Sequence, residues 1–308
     1  MKMFLFSWVP DGRNPGSAKR NAPSSDTDNW IPAYAGMTRL LLTLSFAFLL
    51  ALLATPASAA DQALWEKSTL NQIMKRGELR VGLEAGYMPF EMLDKNGNII
   101  GFDVDLAKKM ASVLKVKVVL VNTQWDGIIP ALLTNKFDLI MGGMTITPER
   151  NAQVNFTQPY IVVGQSALLH LKHRGKITDA RQLDDPKIVI ATKLGTSGDI
   201  TATRMMRRAT IRRFETESDA ALEVKNGRAD AFVYDFPFLA IYAAQHPEGV
   251  GLLPQPFTKE ALGWAIRKGD PDFENWLNNF LLSIRNDGTY DVLYQRWFEG
   301  TAWLKNVQ

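Results

Sequence analysis

The chain contains no cysteine and only three histidines. Without cysteine there is no disulfide framework, no thiolate-bound metal and no lipid-modified N-terminal Cys, so the core alone has to hold the fold. His170 and His173 have no acidic or thiolate companion close in sequence and read as solvated side chains, so no metal and no cofactor is expected. A strong charge of one sign is also missing. The net charge is +3, and residues 1–59 hold five basic and three acidic residues, which leaves +1 for the rest. That balance argues against nucleic acid as a partner. The basic run Arg204, Arg207, Arg208, Arg212 and Arg213 is then a solvated face. Beyond residue 60 no apolar run reaches the ~18 residues that a membrane-spanning helix needs.

The one long apolar run lies earlier, at residues 40–53 (LLLTLSFAFLLALL), with Arg39 before it and Ala57-Ser58-Ala59 after it. Basic flank, apolar stretch and small-residue cleavage site together make a secretory signal peptide, assigned to residues 37–59 with Met37 as the natural start. Residues 1–36 have no place in such a leader and read as a non-native upstream extension. Export to the periplasm follows.

What is present after residue 60 is a globular composition, with 46% hydrophobic and 22% charged residues in the whole chain. Strand and helix patterns alternate. Residues 79–85 read as a buried strand, a hairpin turns at Asp94-Lys95-Asn96-Gly97, and a helix with apolar positions at Val104, Ala107, Met110, Ala111 and Leu114 is capped by Asp103. A strand at 116–122 precedes a helix capped by Asp126, with Pro130 inside its first turn. A third strand, 138–142, follows. The alternation then repeats from residue 165 to 235, and residues 273–297 carry apolar stripes that read as core. The architecture is α/β with largely parallel sheets, whose ligands gather outside the carboxyl ends of the strands.

Several residues meet at those ends. Residues 141–150 (MGGMTITPER) offer Gly142 and Gly143 for close backbone approach, hydroxyls at Thr145 and Thr147, and the Arg150 fork matched to a carboxylate. Tyr87 follows the first strand and Trp125 the second, as ligand contacts or as core caps. Residues 193–199 (KLGTSGD) open a helix whose free N–H groups would bind a carboxylate or simply be capped. Asp235 ends the strand AFVYD, as a helix cap or as the partner of a cation. If Arg150 and Asp235 share a cleft, the pair suits the carboxylate and ammonium of an α-amino acid.

The segments GYMPF, GFDVDLA, WDGIIPAL, FDLIMGGMTITPER, LGTSGD, ADAFVYD and NDGTYDVLYQRWF give the chain from residue 79 to 298 its resemblance to the periplasmic solute-binding proteins of polar amino-acid ABC transporters. These are the bacterial extracellular solute-binding proteins of family 3, and the chain is most similar to the glutamine-binding type. The resemblance implies a two-lobed periplasmic binding protein fold, two α/β lobes joined by two hinge strands near Gly164 and Leu262. Lobe 1 would comprise residues 60–165 and 262–308, and lobe 2 residues 166–261. It further implies that Tyr87 and Trp125 sandwich the ligand side chain. Arg150 would bind the α-carboxylate with the N–H groups of Thr145 and Thr196, and Asp235 the α-ammonium with the Gly143 carbonyl and Thr145 hydroxyl. Ser197 belongs to the helix terminus of lobe 2. Lys193 and Tyr234 lie where glutamine binders contact the side-chain amide or nearby groups, Glu84 where many members have Asp, and Trp125 where Phe is more usual. The implied ligand is a polar L-amino acid, delivered by a monomer to an inner-membrane ABC permease. A dehydratase acting on prephenate or arogenate is the alternative on this fold, with Glu84 as general acid.

Overall fold

A computed structural model describes residues 65–307, within the compact unit Ala60–Gln308. The leader and the upstream extension expected at residues 1–59 lie outside the described residues. Among the described residues no helix is long and apolar enough to cross a membrane.

Helix α1 (Thr69–Arg76) leads into strand β1 (Glu78–Leu83), the hairpin of β2 (Met92–Leu93) and β3 (Ile99–Ile100), helix α2 (Phe102–Leu114), strand β4 (Lys117–Asn122), helix α3 (Trp125–Leu133) and strand β5 (Leu139–Ile140). A one-turn helix α4 (Pro148–Asn151) and strand β6 (Asn155–Phe156) follow, and β7 (Ile161–Val163) leaves this lobe. The second lobe runs through β8 (Gln165–His170), β9 (Val189–Lys193), α5 (Ser197–Met205), β10 (Thr210–Phe214), α6 (Glu217–Lys225), β11 (Ala231–Asp235), α7 (Phe236–Gln245) and β12 (Val250–Leu252). The chain returns along β13 (Glu260–Leu262) to β14 (Ala265–Ile266) and ends in helices α8 (Pro271–Asn286) and α9 (Thr289–Tyr294) with short turns beyond.

Each lobe holds a five-stranded sheet, in the order β4-β1-β5-β14-β6 and β10-β9-β11-β8-β12. Four strands of each sheet point the same way, as expected of a largely parallel sheet, and one, β14 or β8, runs antiparallel to both its neighbours. The reason is connectivity: β8 enters and β14 returns from the crossing between lobes, without a helical crossover to reverse direction. The crossing is itself a two-stranded antiparallel ribbon, with Glu260 opposite Val163 and Leu262 opposite Ile161. Gly164 is required there, since a Cβ would meet the Thr258 carbonyl oxygen at 2.2 Å.

Two caps differ from expectation. Asp103 is not the cap of α2: Gly101 holds that position, and Asp103, one residue into the helix and fully buried, accepts from the Gly143 N–H (3.3 Å) and the Tyr160 hydroxyl (2.9 Å). Tertiary donors outcompete the local N–H groups. Helix α3 likewise starts at Trp125 with Gln124 as its cap, so Asp126 sits in the first turn and Pro130 falls in the second, on the exposed side. The apolar stripe Phe273, Leu277, Phe280, Leu281 and Ile284 of α8 is buried. His173 is also not simply solvated: its Nε2 lies 2.8 Å from Asp230 Oδ1, brought in from the start of β11.

Candidate functional site

The carboxyl ends of β1, β4 and β5 in one lobe face those of β9, β10 and β11 in the other. All eleven residues expected from the sequence, Glu84, Tyr87, Trp125, Gly143, Thr145, Arg150, Lys193, Thr196, Ser197, Tyr234 and Asp235, line one cavity. Gly142, read from the sequence as a point of close backbone approach, lines it too, as does Glu91, which was not expected.

Arg150 rises from α4, whose start is set by Thr147 accepting the Arg150 N–H and by Pro148 at the first helical position. Its guanidinium is buried and donates to two carbonyl oxygens, Thr145 at 3.0 Å and, across the cleft, Gly195 at 3.2 Å. It lies 5.2 Å from the centre of the Trp125 ring. Neither acceptor carries a charge, and burial pulls its pKa below the usual value. A buried cation held only by carbonyls is completed by an anion.

Asp235 starts α7 but makes no capping bond. Its carboxyl instead accepts from the Tyr87 hydroxyl at 2.6 Å and the Gln165 amide at 2.5 Å. Burial pushes it up to about 7, with Tyr87, Gln165 and Arg150 opposing and Glu260 adding. Tyr87 is itself buried against Phe90, ring centres 4.5 Å apart. Gly143 has to be glycine, with φ +62° and a Cβ position 2.2 Å from Tyr87 Cε1.

Thr145 and Ser197 meet across the cleft through their hydroxyls at 3.0 Å. Thr145 also donates to Glu260 of the crossing ribbon. Thr196 behaves as a helix cap, its hydroxyl accepting the Asp199 N–H, while its own N–H reaches the Lys193 carbonyl at 3.3 Å. Trp125 donates its indole N–H to the Gly195 carbonyl at 3.2 Å.

At the other end Lys193, the last residue of β9, is buried between two carboxylates: Glu84 of the first lobe at 2.5 Å and Glu217 of α6 at 2.6 Å. Burial opposes its charge, yet Glu217 and Glu84 outweigh it and raise its pKa. Glu84 is raised by burial against the opposing pull of Lys193. Tyr234 closes this end edge-on to Tyr87, ring centres 5.6 Å apart. Among the described residues no cluster of His, Cys, Asp and Glu could hold a metal ion.

The residues missed are Glu91, Gln165, Glu217 and Glu260. Glu217 follows Thr216 and reads as an ordinary first-turn acid of a capped helix, with nothing local to mark it. Glu91 did carry a signal: an acid between Phe90 and Met92, both core residues, calls for an explanation.

The model of the bacterial extracellular solute-binding proteins, family 3, matches residues 79–300. A Wolinella succinogenes protein solved in complex with lysine is 53% identical, with a TM-score of 0.73 over 75% of this chain and 99% of that one. The L-arginine-binding protein of Pseudomonas aeruginosa is 30% identical over 86% of this chain and 99% of its own length. The cyclohexadienyl dehydratase of the same organism is 28% identical over 81% and 92%.

Proposed function

We propose that this chain, which belongs to the bacterial extracellular solute-binding proteins of family 3, binds a polar L-amino acid in the periplasm and delivers it, as a monomer, to an inner-membrane ABC permease. The observation that carries the reading is Arg150, a buried guanidinium whose acceptors are two carbonyls, facing Asp235 of the opposite lobe across one cavity. A zwitterion answers both groups at once. Its carboxylate takes the Arg150 fork with the Thr145 and Thr196 N–H groups, and its ammonium takes Asp235, the Gly143 carbonyl and the Thr145 hydroxyl. Tyr87 and Trp125 flank the side chain, and Glu84, Lys193, Ser197 and Tyr234 shape its far end.

Residues 60–165 with 262–308 form one jaw and residues 166–261 the other, turning on β7 and β13. The ribbon is coupled to the site, because Ile146 donates its N–H to the Ala261 carbonyl and Gly263 to that of Met144. The loop that carries Thr145 and Arg150 is therefore fastened to the hinge. A ligand held by both jaws favours the closed form by its higher affinity for it.

The reading takes the chain as a binding protein rather than an enzyme. Glu84, the acid a dehydration would need, has a carboxylate oxygen engaged by the Lys193 ammonium at 2.5 Å, although burial raises its pKa against that pull. The test is a thermal-shift screen of residues 60–308 with the twenty L-amino acids, prephenate and arogenate. Polar amino acids should raise the melting temperature. No shift with any of them, together with turnover of prephenate, would reject transport in favour of the dehydratase.

A further inference from the structure

Glu91 lines the ligand cavity, is 1% exposed, and its Oε2 has no hydrogen-bond partner among the described residues. The neighbouring acids are answered: Glu84 and Glu217 share the Lys193 ammonium, Asp235 holds the Tyr87 hydroxyl and Gln165 amide, and Asp103 holds the Gly143 N–H and Tyr160 hydroxyl. Asp103 keeps one unanswered oxygen, Oδ1, but does not line the cavity. Gly142 makes the exposure of Glu91 to the cavity possible. A Cβ at 142 would stand 3.1 Å from Glu91 Oε1, so any side chain there would crowd or cover the carboxyl.

An unanswered carboxyl in a buried place costs free energy unless something completes it. We propose that Glu91 is a specificity residue: through the gap left by Gly142 its carboxyl receives the cationic end, ammonium or guanidinium, of the ligand's side chain. This rests on the amino-acid reading given above and narrows it to cationic L-amino acids. Lys193 does not compete for the role of guest cation, because it is already shared between Glu84 and Glu217.

A proton can move with the cation. Burial first, then the Asp103, Glu217 and Glu84 charges, hold the Glu91 carboxyl well above the usual carboxylate range, with Lys193 opposing. The Tyr160 and Tyr234 phenols also lie within its field. A docked cation favours the ionised form and opposes that shift, so any proton the carboxyl holds passes to the buffer on binding. Glutamine, uncharged at its far end, leaves that proton in place.

The test is calorimetric titration of arginine, lysine and glutamine at pH 7 in two buffers of different ionisation enthalpy. Wild type should prefer arginine and lysine and release more protons with them than with glutamine. Glu91→Gln keeps the shape of the neutral acid, and should lose the extra proton release and weaken arginine by about 10- to 100-fold relative to glutamine. Gly142→Ser, which covers the carboxyl without removing it, should shift the preference the same way. Retained arginine preference and retained extra proton release in Glu91→Gln would overturn the proposal, as would a wild type that prefers glutamine; both leave amino-acid binding standing. Absence of binding to every amino acid overturns both readings.

Discussion

The two ends of the cavity are built on opposite electrostatic plans. Where Arg150 and Asp235 stand, each charged side chain is held by neutral partners, carbonyls for one and a phenol with an amide for the other. Where Lys193 stands, the protein supplies both signs, and one ammonium joins Glu84 of the first lobe to Glu217 of the second. A buried charge with only neutral partners remains available to a guest, whereas a buried ion triad is largely complete without one. The first end is therefore expected to matter for binding more than for stability, and the second for stability as well as ligand choice.

Arg150→Ala gives the largest test of that contrast. With two charge-assisted bonds to the carboxylate lost, at about 1.5–3 kcal/mol each, affinity for every amino acid should fall several hundredfold or more by calorimetry. The melting temperature of the ligand-free protein should change little. Near-normal affinity in this variant would remove Arg150 from the site. Lys193→Met should behave in the opposite sense. It leaves two buried carboxylates facing each other, and breaking such a pair costs about 3–5 kcal/mol, read as a lower melting temperature without ligand. An unchanged melting temperature would mean that the triad does not hold the lobes, and the contrast would fail on that side.

The ends also differ in how far the sequence exposes them. Arg150, Gly143, Thr145 and Asp235 sit in contiguous motifs, each placed at a strand end by local patterning, so both the fold and these positions could be read from the chain. Glu217 could not. Its neighbour Thr216 makes a normal helix start, and only the arrival of Lys193 from β9, 24 residues earlier, gives its burial a reason. Asp103 failed for the same cause: its spacing suits a cap, but Gly143 and Tyr160, 40 and 57 residues away, take the carboxylate. Local rules find groups whose partners are local or supplied by a ligand. Groups paired through the tertiary fold stay hidden, as Gln165 and Glu260 also were.

Titration of Asp235 separates the ends by pH. Its folded pKa is raised from 3.8 to about 7 by burial, so its contribution to the stability of the free protein is full below about pH 3.8 and is lost as pH rises through about 7. Binding runs the other way, because the ligand ammonium needs the carboxylate. Affinity for glutamine should climb from pH 6 to 8, by at most about tenfold per unit below the pKa, and level off above it. Asp103, also raised to about 7, adds to the stability slope but makes no contact with the cavity, so the affinity slope belongs to Asp235. Asp235→Asn should flatten it; a slope that persists would place the titrating group elsewhere.

Trp125 stands between the two plans and gives the smallest effect. Its indole N–H and the Arg150 guanidinium, both from the first lobe, donate to one carbonyl of the second, that of Gly195. The indole bond does not depend on the ligand's identity, and a phenyl ring at this position could flank a side chain but could not make it. Trp125→Phe should therefore cost one neutral hydrogen bond, about 0.5–1.5 kcal/mol, and lower the affinity for all ligands alike by roughly two- to tenfold. Because the bond exists only when the lobes are together, the loss should appear chiefly as faster dissociation in stopped-flow measurements. A change in rank order among ligands, with the overall affinity preserved, would instead assign Trp125 to the discriminating end and move the boundary between the two ends toward Arg150.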